Sequence, residues 1–175
     1  MHYKFLKKII GIIGFKLIDK NLVKNERILS RYSDLSLEKL LDNLFLNSEL
    51  KSVIQIGAND GQRFDVLEKF IKKYSPFVIF LEPIKSYFND LKKKYSNNNN
   101  LIFENLAITV NNEISQLYKV KDDKLKYYDE HVMGISSFKK EHLIKHGIKK
   151  NHIIKVDVQS ITIKKLLQKH SVKNL

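Results

Sequence analysis

The chain has 175 residues, 43% hydrophobic and 29% charged, which suits a single domain with a core of its own. It has no cysteine, so disulfides and thiolate metal sites are excluded, as fits a reducing compartment. The net charge of +13 comes almost wholly from lysine, Arg27, Arg31 and Arg63 being the only arginines. It reads first as a compositional bias toward Lys, Asn and Ile, and second as a preference for anionic partners: a membrane surface, nucleic acid or a nucleotide-linked substrate.

Residues 1–30 are basic and apolar together. Lys4, Lys7 and Lys8 precede an apolar run from Ile9 to Phe15, shorter than the roughly 20 residues a bilayer span needs. Lys16 and Asp19-Lys20 follow where a signal peptide would place small residues. The segment is expected either to pack on the domain as an amphipathic lid or to rest, through residues 1–20, on a membrane surface with its lysines at the headgroups. Ser36 is a helix cap. After it Leu37, Leu40, Leu41, Leu44 and Phe45 recur at helical spacing, which predicts a core-facing helix ending at Asn47-Ser48. Residues 1–48 are read as a basic helical extension and 49–175 as the main domain.

From Ser52 the pattern alternates between strand and helix. Ser52–Ile56 predicts a buried strand. Phe64, Leu67, Ile71 and Tyr74 line one face of a helix that Ser75-Pro76 breaks. Phe77–Leu81 is a wholly apolar strand, and Pro83 suits the start of a helix whose inner face is Tyr87, Phe88, Leu91 and Tyr95. A polar loop at 97–100 leads to a third strand, 101–106. This β-α-β-α-β order implies a parallel sheet with right-handed crossovers. Beyond it, 107–110 and 114–120 predict a hairpin about Asn111-Asn112. Residues 121–131 predict a charged loop, 141–146 a short helix and Ile153–Val158 a strand. Thr162 caps a last helix, Ile163–Lys169.

The most telling stretch is Val53-Ile54-Gln55-Ile56-Gly57-Ala58-Asn59-Asp60-Gly61, an apolar strand running into a Gly-x-Asn-x-Gly turn. Glycine lets backbone pass close to a ligand. A carboxylate about 20 residues on, at the tip of the next strand, can grip a ribose diol, and Glu82 stands there. Asn59 occupies the second glycine position of the dinucleotide fingerprint, where a pyrophosphate wants bare backbone, so NAD is disfavoured. A P-loop run is absent. A nucleoside without a pyrophosphate remains, and S-adenosylmethionine fits: its methionine end against the turn Gly57, Ala58, Asn59, Asp60 and Gly61, its ribose on Glu82 beside Pro83, and its adenine toward Asn105 and Ala107.

These residues also carry a resemblance. Ile54 to Gly61, then Leu81-Glu82-Pro83, then Phe103-Glu104-Asn105-Leu106-Ala107-Ile108, then Ile135-Ser136-Ser137-Phe138 with Glu141-His142-Leu143, stand in the order found in the FkbM-family methyltransferases. The resemblance implies an α/β fold, the Rossmann-like class I methyltransferase sheet, with S-adenosylmethionine as methyl donor. It implies methylation of a hydroxyl on a polysaccharide sugar or a small metabolite. In the family, a further strand with an acidic D-x-E-G motif follows the segment 162–170, and this sequence stops at Leu175. Ser52–Ile56 is also apolar enough for a central strand, with one apolar neighbour evident. The chain is therefore expected to be the N-terminal portion of a longer enzyme.

Removal of the hydroxyl proton calls for a base. Asp60, Asp65, His131, His142 and His146 are candidates, none singled out, so the catalytic residue is left open. Ser136 and Ser137 either line the acceptor pocket or cap a turn. His142 and His146 stand four apart without an H-E-x-x-H pattern, and no metal is expected. Nucleic-acid readers carry arginine forks and aromatics on a basic face, and no such cluster occurs, so the expected partner is a small-molecule or carbohydrate acceptor. The expected location is the cytoplasm, with contact to the inner face of the membrane through residues 1–20. The competing reading is an incomplete fragment that serves as a cofactor-binding or interaction module.

Overall fold

The computed structural model describes residues 37–46, 52–63, 65–96, 98–111 and 114–172; the expectations for residues 1–30 lie outside these. The chain divides into two compact units, 1–44 and 45–175. Helix α1, Leu37–Leu46, begins in the first and runs just past its end. The leucine stripe was expected to pack into the core as a whole, but Leu40 and Leu44 are exposed. Ten residues make about three turns, and Leu41 and Phe45, one turn apart, are each half-buried. Within the second unit the Phe45 ring stacks on Phe70 at 5.8 Å and on Tyr74 at 5.2 Å.

The second unit opens with β1 (Ser52–Ile56), α2 (Glu68–Tyr74), β2 (Phe77–Leu81), α3 (Lys85–Lys94) and β3 (Leu101–Glu104). The three strands form one parallel sheet in the order β1-β2-β3, with Ser52 opposite Phe77 and Val78 opposite Leu101. Among the described residues β1 pairs with β2 alone, the one apolar neighbour evident in the sequence, and β2 lies between β1 and β3. Phe77–Leu81 is apolar throughout and buried from Val78 onward, whereas β1 is only half-buried. Ile79 and Leu81 pack with Leu166, and Phe80 stacks between Tyr95 at 5.4 Å and Phe103 at 5.6 Å.

The helix boundaries follow from local hydrogen bonds. Asp65 Oδ1 accepts from the Leu67 N–H at 2.9 Å and α2 begins one residue later. It ends where Ser75 takes φ 47° before Pro76. Pro83 stands two residues before α3 rather than at its first position, because the Ile84 N–H is tied to Glu82 Oε1 at 2.8 Å. Tyr87, Phe88, Leu91 and Tyr95 are buried as their spacing predicts. β3 stops at Glu104, short of the expected 106, where Asn105 turns its amide to the carbonyls of Glu82 and Pro83.

The expected hairpin over 107–120 does not form. β4 (Ala107–Ile108) pairs in parallel with β7 (Ser160–Ile161), and β5 (Ser115–Val120) pairs antiparallel with β6 (Ile153–Val158). A hairpin would have paired β5 with a stretch ending in Val110, which is 90% exposed. β6 instead offers β5 a partner along its whole length, and their joint face feeds two clusters: Ile84, Tyr87, Ala107, Leu117 and Val158, and Val120, Val132, Leu143, Ile148 and Ile153. Residues 121–131, expected as a loop, contain one 3-10 turn, Asp122–Tyr127, and the start of another, Glu130–Gly134, which buries Val132. α4 spans Lys140–Lys145. α5, Ile163–Lys169, is capped as expected, Thr162 Oγ1 accepting from the Lys165 N–H at 3.2 Å.

Candidate functional site

The three parallel strands end together, and the residues just past their C-terminal ends line a cavity of about 460 Å³. This is where open α/β sheets place ligands. The end of β1 and its turn contribute Gln55, Ile56, Gly57, Ala58 and Asn59; the segment after β2 contributes Glu82, Pro83 and Ile84, and α3 contributes Tyr87; the segment after β3 contributes Leu106, and β4 contributes Ala107 and Ile108. Leu117 from β5, and His131, Met133, Gly134, Ile135, Ser136 and Phe138 from the later 3-10 turn and loop, complete the wall together with Arg63.

The turn after β1 is bound to the end of β2. The N–H groups of Gly57 and Ala58 both donate to Leu81 O, at 2.9 and 3.0 Å. The Asn59 N–H donates to Glu82 Oε2 at 2.8 Å, while Oε1 takes the Ile84 N–H. Glu82 thus clamps two loops with one carboxylate, each oxygen keeping a further lone pair. Burial pushes the Glu82 carboxyl above its ordinary value; its two backbone hydrogen bonds oppose this, and the charge of Asp60 adds to it. Tyr87, also on the wall, is pushed up to about 12, first by burial and then by the charges of Asp122, Glu82 and Asp60. Its hydroxyl is therefore neutral across the physiological range.

The two glycines of the turn do different work. Both have positive φ, +74° at Gly57 and +68° at Gly61, a region costly for other residues. A Cβ on Gly57 would meet nothing within 4 Å, whereas one on Gly61 would lie 2.6 Å from Leu91 Cδ1. Gly57 faces the cavity, and Gly61 packs against α3. Behind it Lys94 donates to Gly61 O and bridges to Glu68 at 2.8 Å and Asp65 at 3.4 Å, while the Tyr95 hydroxyl donates to Asp65.

Of the residues expected at the cofactor, Gly57, Ala58, Asn59, Glu82, Pro83 and Ala107 share the cavity wall. Asp60, Gly61 and Asn105 do not. Asp60 is buried behind the turn, where Oδ1 accepts from the Gln62 and Arg63 N–H groups at 2.9 Å and Oδ2 pairs with Arg63 Nη1 at 2.6 Å. Burial acts to raise its carboxyl, but those backbone bonds and the guanidinium outweigh it and hold it below the usual range. Asn105 gives its amide to the two carbonyls that fix the end of β2. Ser136 lines the cavity; Ser137 instead bridges to Tyr118 in the β5 ladder and accepts from the Lys139 N–H.

Among the candidate bases, only His131 reaches the wall. Asp60 and Asp65 are engaged as described, and the rings of His142 and His146 lie 4.7 Å apart, tilted by 58°, at the end of α4. Among the described residues no group of three or more His, Asp or Glu could hold a metal ion, and no helix is long and apolar enough to cross a membrane.

The sequence reading missed Gln55 and Arg63 as cavity residues. Gln55 Oε1 is buried and, among the described residues, has no hydrogen-bond partner. The signal was available: a glutamine inside an otherwise apolar strand, one residue before the turn glycine's neighbour, puts an amide where packing alone would call for Val or Ile.

No curated protein and no solved structure matches the chain. The family model described as the methyltransferase FkbM domain matches residues 55–175, which include the cavity, its glycine turn and Glu82. The chain belongs to the FkbM methyltransferase family.

Proposed function

We propose that the protein is an S-adenosylmethionine-dependent O-methyltransferase acting on a sugar hydroxyl of a polysaccharide or on a small metabolite. The observation that carries the reading is the cavity at the strand ends, which gathers a backbone-lined glycine turn, a buried acid and an unpaired buried acceptor. These fit the donor. Gly57 leaves its backbone open to the methionine end. Glu82 has one lone pair on each oxygen left for the ribose hydroxyls. Leu106, Ala107 and Ile108 offer an apolar wall to the adenine. Gln55 Oε1 lacks a donor, a deficit of about 1–3 kcal/mol that an ammonium or hydroxyl of the ligand removes.

When bound, the cofactor supplies an electrophilic methyl group on a sulfonium. The protein's part is to hold the acceptor oxygen in line with it and exclude water. Of the candidate bases, His131 is the group we assign to the acceptor's hydroxyl proton, because it alone lines the cavity. The sugar or metabolite acceptor is proposed on the family likeness, action in the cytoplasm on the absence of cysteine, and contact of residues 1–20 with the inner membrane face on their joint basic and apolar character.

The test is calorimetric titration of the full chain with S-adenosylhomocysteine and with its 2′-deoxyribose analogue. Saturable 1:1 binding that weakens about tenfold without the 2′-hydroxyl, the loss of one charge-assisted hydrogen bond, is expected. The absence of binding by either adenosyl compound at millimolar concentration refutes the reading.

A further inference from the structure

Resting on that reading of the cavity, we infer that Arg63 is its carboxylate receptor and holds the amino-acid end of the methyl donor. In a chain whose positive charge is nearly all lysine, Arg63 is the one arginine beyond residue 31. It lies on the cavity wall two residues past the glycine turn, and among the described residues no lysine or other arginine lines that wall. Lysine would supply a mobile point charge; arginine supplies a rigid fork that matches a carboxylate.

The fork is held in place before any ligand arrives. Asp60 is 3% exposed. Its Oδ1 fixes the Arg63 backbone N–H and its Oδ2 fixes Nη1. Backbone and guanidinium are thus anchored to one carboxylate, so little side-chain freedom is left to lose on binding. The guanidinium has five N–H donors. Asp60 takes one, and Nε faces the exposed Glu130 carboxylate only at 4.0 Å. Among the described residues Nη2 has no hydrogen bond, and the side chain remains 38% exposed. A carboxylate entering the cavity meets one cationic fork, Arg63, and one buried acid, Glu82. Repulsion from Glu82 and attraction to Arg63 set the direction in which an adenosyl amino acid lies.

The probe pair is S-adenosylhomocysteine and 5′-methylthioadenosine, which share the nucleoside and thioether and differ in the amino-acid end. The wild-type chain is expected to bind the first more tightly. Arg63→Gln should weaken S-adenosylhomocysteine about 10- to 100-fold, as for loss of a charge-assisted pair, and leave 5′-methylthioadenosine unchanged; that constancy also reports an intact fold. Arg63→Lys should recover only part of the loss. Equal weakening of both probes, or unchanged preference for S-adenosylhomocysteine in Arg63→Gln, overturns the assignment and frees Arg63 for an anion on the acceptor. Equal wild-type affinity for the two probes overturns it while leaving the site reading intact; binding of neither removes the site reading as well.

Discussion

Alanine at the two turn glycines should separate stability from binding. Both positions lie at positive φ, and a side chain there costs about 1–2 kcal/mol. Both substitutions also restrict the unfolded chain, which returns about 0.4–1 kcal/mol. These contributions cancel in the comparison. What differs is space. At Gly61 the new Cβ lies 2.6 Å from Leu91 Cδ1, 3.3 Å from Tyr95 and 3.4 Å from Lys94. Leu91 is fully buried, so its methyl must push into packed neighbours, at about 1–3 kcal/mol. Gly57→Ala meets no atom. Equilibrium urea denaturation should therefore find Gly61→Ala less stable than Gly57→Ala by about 1–3 kcal/mol. Titration with S-adenosylhomocysteine should rank them the other way, with Gly57→Ala losing affinity because its methyl points into the cavity mouth. Equal stabilities, or full ligand affinity in Gly57→Ala, would refute the division of labour between the two glycines.

Gln55→Leu should raise the stability of the free chain by about 1 kcal/mol, since it removes an unpaired buried acceptor, and should weaken S-adenosylhomocysteine; thermal melting with and without ligand checks both. Glu82→Ala should lower stability by about 2 kcal/mol or more because the Asn59 and Ile84 N–H groups lose their acceptor, so lost binding in that variant alone does not report ribose recognition. Because burial raises the Glu82 carboxyl above 4.5 in the folded chain, folding retains its proton, and this group's contribution to stability falls as pH rises upward from 4.5. Ligand affinity runs oppositely, dropping as pH falls through the raised value and the acceptor oxygens are protonated, which titrations across pH will follow. Glu68 is held down to about 2 by hydrogen bonds from Lys72 and then Lys94; its contribution is present above 4.5 and lost as pH falls toward 2. Lys94→Met should accordingly flatten the stability loss below pH 4.5, measured by acid titration of the fold.

The first half of the sheet was legible because local signals and tertiary packing agree there. Phe77–Leu81 is apolar at every position, and Tyr87, Phe88, Leu91 and Tyr95 repeat at the helical period, so each has one good place to go. Glu82 was legible by its position at a strand tip. The second half was not, because its pairings are non-local: nothing near Ser115–Val120 in sequence says that Ile153–Val158 will lie beside it. Asn111-Asn112 is a strong turn signal, and it was overridden by burial that only a distant strand provides. The site's backing was invisible for a related reason. Asp60, Asn105 and Gly61 carry ligand-site chemistry by residue type, but which way they face depends on Arg63, on the end of β2 and on Leu91.

The parallel pairing of Ala107–Ile108 with Ser160–Ile161 has a kinetic consequence. Thr109 and Ser160, hydrogen-bonded at 3.0 Å, are 51 residues apart, and closing a flexible loop of that length costs roughly 3.5 kcal/mol of chain entropy beyond a constant. Two short strands cannot offset this alone, so they dock only once Ile84, Tyr87, Leu117 and Val158 have collapsed around Ala107. Ala107 and Leu117 are also cavity walls. These walls are therefore expected to form in that collapse, ahead of the β4–β7 pairing, and an adenosyl ligand present during refolding to stabilise the finished form by mass action.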